Sequence, residues 1–270
     1  MRSPQELFGV PRALVGMVHL RPLPGTPRAG ADFDRVLTQA VEEAELLVRG
    51  GFDALVLENM HDAPYLMRDV GPEIVASMTA VALAVRQAVR VPLGIQILAG
   101  ANRHALAVAH ASGSAFIRAE GFVFASVADE GLLPTADAGE LLRYRRAIGA
   151  TSVAVLADIK KKHSSHAITQ DVSLAETAQA AEFFEADGLI VTGTATGQPV
   201  AVDDLSACRQ ATQLPLVVGS GATPATLGDL FRYADAVIVG SATKVEGQWR
   251  NELDPARADA LVASARQARS

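Results

Sequence analysis

Three lysines in a row, Lys160, Lys161 and Lys162, stand between Asp158 and His163, and His19, Glu58, Arg118 and Glu120 end other apolar runs of the same chain. Carboxylates near lysines and histidines suit two kinds of chemistry. A lysine stripped of water, or crowded by other cations, gives up its proton and forms a Schiff base with a substrate carbonyl. Glu58, Glu120 or Asp158 would then serve as general acid or base. Lys160 and Lys162 are the candidates for the amine, with His19 and His163 as proton carriers. A divalent metal is the alternative, on Glu58, Asp158 and His163 with His19 and Glu120 in reach, although this spacing matches no compact ligand motif such as H-E-x-x-H. The plain structural reading makes Arg118 with Glu120, or Asp158 with Lys160, an internal ion pair and the lysine run a solvated loop edge. No nucleotide-cofactor motif is present.

A second chemical signal lies near the carboxyl end. An apolar run at 216–218 leads into Gly219-Ser220-Gly221, and another at 236–239 leads into Gly240-Ser241. The stretch 224–234 between them reads as a helix, with Thr223 as N-cap, Pro224 in the first turn and Leu227, Leu230 and Phe231 on one face. Glycine lets a backbone approach a ligand closely, and unpaired N–H groups at a helix start attract anions. Two such turns in succession suit a phosphate clamp, which in a (β/α)8 barrel follows strands seven and eight.

Six similar units must then come first. Strands are expected over 13–20, 52–59, 92–98, 115–120, 152–162 and 188–193, each preceding a helical pattern. The first helix runs to Arg49 with Val36, Ala40, Ala44 and Leu47 at helical spacing and Gly50-Gly51 as its stop. Asn102 and Ser173 are expected caps. Eight strands and eight helices in alternation argue for the α/β class and a closed (β/α)8 barrel of the phosphate-binding type, one domain spanning 1–270. Strand ends converge in such a barrel, which brings together His19, Glu58, Gln96, Arg118, Glu120, Asp158, Lys160, Thr192, Ser220 and Ser241. Alternation points Glu58 inward with Val56, pairs Arg118 with Glu120 on the inner side, and puts Asp158 and Lys160 on one side. Asn59, Asp62, Gln96, Thr192 and Gly193 are the substrate-binding candidates. The loop 59–72 is long for a connector, and loops of that length are often functional.

Composition narrows the classes. A chain of 270 residues with 49% hydrophobic content has ample core for such a barrel. A net charge of -6, from 24 basic and 30 acidic residues without a basic stripe, argues against nucleic acid. The single Cys208 excludes an internal disulfide and fits a reducing compartment; it reads as a small buried hydrophobe. Residues 1–10 do not resemble a signal peptide, and the apolar stretch 74–98 is broken by Arg86, Gln87, Arg90 and Pro92, so no transmembrane segment is expected. The chain reads as cytoplasmic, with a small phosphorylated ligand as its partner. Self-association is compatible with this reading, and Trp249 is a packing or oligomer contact.

Four blocks of letters also carry a resemblance: 19–27 (HLRPLPGTP), 57–65 (LENMHDAPY), 117–121 (IRAEG) and 158–164 (DIKKKHS). Over nearly its full length the chain is similar to the BtpA/SgcQ family, and the first two blocks are distinctive. The resemblance implies a TIM barrel related to the phosphate-binding barrels. It brings two functional labels, a role in photosystem I biogenesis for cyanobacterial members and a presumed enzyme of sugar metabolism for SgcQ-like members. It marks His19, Glu58, Asn59, Asp62, Arg118, Glu120, Asp158, Lys162 and His163 as motif positions without assigned roles. Two functions therefore compete: an enzyme acting on a phosphorylated small molecule as lyase, isomerase or hydrolase, and a non-catalytic assembly or stability factor that binds a partner protein.

Overall fold

The computed structural model describes residues 2–30, 32–193 and 199–269. The chain opens with a short helix, α1 (Pro4–Phe8), followed by β1 (Ala13–His19), α2 (Phe33–Gly50), β2 (Ala54–Glu58), α3 (Pro72–Ala88) and β3 (Leu93–Gln96). Next come α4 (Asn102–Ser112), β4 (Phe116–Ala119), a hairpin of β5 (Ser126–Ala128) and β6 (Gly131–Leu133), α5 (Ala138–Ala147), β7 (Ala154–Ile159) and β8 (Ser164–Ser165). The last third holds α6 (Leu174–Phe183), β9 (Gly188–Val191), α7 (Val202–Ala211), β10 (Leu216–Val218), α8 (Leu227–Leu230), β11 (Ala236–Val239) and α9 (Pro255–Arg269).

Eight of these strands close a parallel barrel in the order β1-β11-β10-β9-β7-β4-β3-β2. Strand alternation divides the core in two. Val15, Met17, Val56, Leu156, Ile190, Val217 and Ile238 point inward and pack with one another, whereas Leu14, Val18, Leu55, Leu57, Val155 and Val237 point outward into the helix layer. Gly94 supplies no side chain to the interior. A Cβ there would lie 2.1 Å from the Phe116 ring, so the ring occupies the space that the strand leaves open. At the amino-terminal end of the barrel, Leu7 and Phe8 of α1 join the inner cluster, and Phe8 meets Phe116 edge to face at 5.5 Å between centroids. A reciprocal Ser3–Glu6 capping box starts α1 and Gly9, at φ 81°, ends it.

The expected eight-stranded barrel is present, with four local differences. The fifth barrel strand stops at Ile159 instead of running to 162, because Lys160 turns the chain at φ 47°. The segment beyond it forms β8, which pairs with β5, so the stretch 121–136 read as a loop contributes two strands of a three-stranded antiparallel sheet beside the mouth. The helix expected over 224–234 is the four-residue α8. The Thr226 hydroxyl accepts from the Thr223 N–H at 2.9 Å, which makes 223–226 a turn in place of a capped helical start. Asn102, expected as a cap, is instead the first residue of α4. Among the described residues no helix is long and apolar enough to cross a membrane.

Candidate active site at the barrel mouth

A cavity of about 170 Å³ opens at the carboxyl ends of the strands. The turns after β10 and β11 form one wall, from Gly219 to Thr223 and from Gly240 to Ala242. His19, Glu58, Arg118 and Lys162 form the other, with Met17 and Val239 below and Met60, Gly247 and Arg257 at the rim. Gly219 and Gly240 continue the inward register of β10 and β11. A Cβ at Gly219 would meet Ile190 Cγ2 at 2.6 Å and Arg118 Nη2 at 3.3 Å; one at Gly240 would meet the His19 ring at 3.0 Å. The missing side chains therefore make room for the polar groups opposite. Gly221 adopts φ 76°, the left-handed region that glycine occupies without strain. Ser220 Oγ is buried and has no hydrogen-bond partner among the described residues.

The turn after β11 is held from beneath. Thr243 Oγ1 donates to Gly240 O at 2.8 Å, and Lys244, 1% exposed, donates to both carboxylate oxygens of Glu43 at 2.7 and 2.8 Å. A buried lysine is tolerated only when paired in this way. No local signal in the sequence connects Lys244 to Glu43, which lies on α2 across 201 positions.

His19 and Glu58 are register partners on β1 and β2, with Nε2 and Oε2 3.4 Å apart. Burial first, and then the charges of Lys244, His61 and Lys162, pushes His19 down to about 3. Its ring is neutral at pH 7, so the contact with Glu58 is not an ion pair. Burial raises Glu58 above the usual carboxylate range, with Arg118 and Lys162 opposing. On β4 and β7, Arg118 Nε and Nη2 reach Asp158 at 2.9 and 3.2 Å, a two-point contact between buried groups. Burial pushes Asp158 up while Arg118 pulls it down, and Arg118 itself is raised because Asp158 and Glu58 outweigh its own desolvation.

The lysines separate. Lys162 lines the cavity, and burial followed by the Arg118 charge lowers it. Its backbone N–H donates to Thr192 Oγ1 at 3.0 Å. Lys161 turns to Glu120 at 3.2 Å and to Glu130 of the β5–β6 turn at 3.7 Å, and these two carboxylates raise it despite its burial. Gln96 donates to the other oxygen of Glu120 at 3.3 Å. Lys160 leaves the barrel altogether and bonds to Val172 O. The ion pairs are thus Arg118–Asp158 and Lys161–Glu120, not the Arg118–Glu120 or Asp158–Lys160 pairs that adjacency suggests.

Among the other expected residues, Asn59 and Asp62 brace the mouth. Asn59 donates to Asp62 at 2.8 Å and accepts from the Leu98 N–H at 2.7 Å, while Asp62 accepts from the Leu23 N–H at 2.8 Å. Gly193 borders a separate depression with Lys160 and Asp204. His163 lies just before β8 at φ 55°, its side chain 43% exposed and its Nδ1 4.0 Å from Asp129, outside the cavity lining. Among the described residues no three His, Cys, Asp or Glu side chains are grouped to hold a metal ion. Lys161, Lys244 and Arg257 were not among the expected site residues. Arg257 reaches the rim from α9, where its Nε donates to Ala242 O at 3.1 Å.

A closed eight-stranded parallel barrel wrapped by helices, with its polar cavity at the carboxyl ends of the strands, is a TIM barrel. Solved structures share it. Thiamine phosphate pyrophosphorylase from Pyrococcus furiosus matches with a TM-score of 0.61 and 13% identity, covering 99% of each chain. Orotidine 5′-phosphate decarboxylase from Pyrococcus horikoshii matches at 0.59 and 12%, covering 93% of this chain and 99% of that one. At such identities the likeness is one of fold. The chain belongs to the BtpA family, whose model matches residues 10–267. A Caenorhabditis elegans protein named uncharacterized and mitochondrial is 44% identical over 93% of this chain and 92% of its own length. The photosystem I biogenesis protein BtpA of Synechocystis is 36% identical over 95% of this chain and 89% of its own.

Proposed function

We propose that the chain is an enzyme that binds a phosphorylated small molecule, a sugar phosphate or a related compound, and reacts it by acid-base or Schiff-base chemistry. One observation carries this reading: a single cavity joins the two glycine turns to Glu58, His19 and Lys162. The phosphate sits on the amides of Gly219, Ser220 and Gly221 and of Gly240 and Ser241, with the orphaned Ser220 hydroxyl as a further donor. Glu58 is shifted up and Lys162 down, so the two approach each other in proton affinity, which suits transfer of a proton to and from a substrate carbon or oxygen. The neutral amine of Lys162 is also the form that attacks a carbonyl. The C–N bond forms as the carbonyl π pair moves to oxygen; that oxygen takes one proton from the amine nitrogen and one from Glu58, the C–O bond breaks, and water leaves to give the protonated imine and the Glu58 carboxylate. Asp158 orients Arg118 in either route. Lys160 and His163 stand outside the cavity and have no step in this mechanism. The names of the solved neighbours, thiamine phosphate pyrophosphorylase and orotidine 5′-phosphate decarboxylase, support a phosphorylated ligand. The buried free thiol of Cys208 suits a reducing compartment such as the cytoplasm.

The test is a thermal-shift screen of the metal-stripped protein against inorganic phosphate, sugar phosphates, nucleotides and divalent metals. A sugar phosphate at a hundredfold excess over its Kd is expected to raise Tm by about 5 °C or more, and Gly221→Asp to abolish the rise. No shift with any phosphate compound overturns the reading.

The name of the Synechocystis relative favours a second reading, an assembly factor for a protein complex, and the exposed Phe183 and Phe184 at the end of α6 offer an apolar surface for it. That role tolerates loss of Glu58, whereas the enzyme does not.

A further inference from the structure

The wall opposite the glycine turns holds two cations, Arg118 and Lys162. Arg118 is 4% exposed, and Asp158 occupies its Nε and Nη2. That grip fixes the guanidinium plane and leaves Nη1 without a hydrogen-bond partner among the described residues, on a side chain that lines the cavity. Lys162 lines the same cavity, and among the described residues it forms no ion pair with a carboxylate. Two of its neighbouring carboxylates are already paired, Asp158 with Arg118 and Glu120 with Lys161, which leaves Glu58, beside the neutral His19 ring, as the carboxylate of the lining that acts on it. Lys162 and the free edge of Arg118 are therefore the two cationic groups of the lining open to a ligand, with Glu58 beside them. Arg118 is also close to the clamp, since the Cβ position of Gly219 is 3.3 Å from its Nη2.

Resting on the reading of the cavity as a phosphate-ester site, we infer that the substrate carries a second anionic group, a carboxylate or an oxyanion formed during reaction, which Arg118 and Lys162 hold at the opposite wall while the glycine turns hold the phosphate. The role belongs to the acid-base route, in which Lys162 forms no imine: a guanidinium held in one plane, with a free N–H edge beside the protonated Lys162, is preorganised for an oxyanion, and charge-assisted bonds in a buried site are stronger than neutral ones. The substrate class is thus a short phosphate monoester that is acidic, or becomes so, at its far end.

Titration calorimetry with the whole protein tests this, using inorganic phosphate, glycerol 3-phosphate and 3-phosphoglycerate. The two esters have the same carbon chain and differ in a terminal hydroxymethyl against a carboxylate. The carboxylate ester is expected to bind about tenfold tighter or better, as one charge-assisted contact gives. Arg118→Ala would strand buried Asp158 and risk the fold, so the variant is Lys162→Met, which should cut the preference to about threefold or less. Equal affinities of the two esters for the wild-type protein, or a preference that Lys162→Met leaves whole, overturn the inference while the phosphate reading stands. No binding of any of the three overturns both.

Discussion

A histidine sealed in the barrel beside a lysine takes up a proton only at a cost, and His19 faces Lys244, His61 and Lys162 together. Its folded value near 3 lies below the ordinary 6.5. Between those two values the unfolded chain holds a proton that the folded chain lacks, so this group's contribution rises with pH and is lost as pH falls from about 6.5 toward 3. Glu58 works in the opposite sense, because a raised carboxyl keeps its proton longer in the folded state, and stability falls as pH rises through its raised range. Comparing wild type with His19→Gln removes most of the Glu58 effect. The stability difference between them should shift by about 2–3 kcal/mol against the wild type on going from pH 7 to pH 4.5, measured by urea unfolding. A parallel pH dependence of the two proteins would show that His19 titrates as an ordinary surface histidine does. Strand period alone was enough to bring His19, Glu58 and Arg118 to one wall. It was not enough to choose among the lysines, because the choice turns on the φ of 47° at Lys160, a conformation that a lysine adopts without any mark in the letters around it.

At the scale of elements, the strand-turn units after β10 and β11 were legible because glycine and serine interrupt strongly apolar runs. The extent of α8 was not, since Thr223 and Pro224 are as good a helix start as the turn that Thr226 makes of them. The hairpin β5–β6 was hidden for a different reason. Its strands are three residues each, too short for alternation to register, and it reaches the site through Glu130, which contacts Lys161. Helix α1 carried a readable signal, the Ser3–Glu6 capping box, yet its role is set by tertiary contact, where Leu7 and Phe8 close the barrel opposite the mouth. Phe8→Ala is therefore expected to cost about 3–5 kcal/mol in denaturant unfolding, as deletion of a buried ring does. A loss under about 1 kcal/mol would mean that α1 is an attachment and not the barrel's closing piece.

For the molecule as a whole, the architecture was the most readable property and the reaction the least. Agreement with solved barrels at 12–13% identity shows the fold residing in the pattern of apolar runs and breaks, while chemistry resides in a few side chains whose partners, such as Lys244 and Glu43, are far apart in the chain. If the chain is one domain, as its length and alternation suggest, it should unfold as one unit. The single Trp249, its ring tilted against that of His61 with 5.0 Å between centroids, reports on one end, and far-UV circular dichroism reports on the helices throughout. Coincident midpoints are the expected result. A fluorescence transition that comes earlier would separate the mouth from the barrel beneath it.

The ring of Phe116 and the bare strand at Gly94 are, in heritable terms, a single character written at two positions. A lineage cannot acquire even an alanine at 94 while the ring remains, because 2.1 Å separates the two. Nor can it shrink the ring first without opening a void in the close-packed interior. Descent through either intermediate passes a stability minimum, so the two residues are expected to be lost or kept together wherever this barrel is passed on.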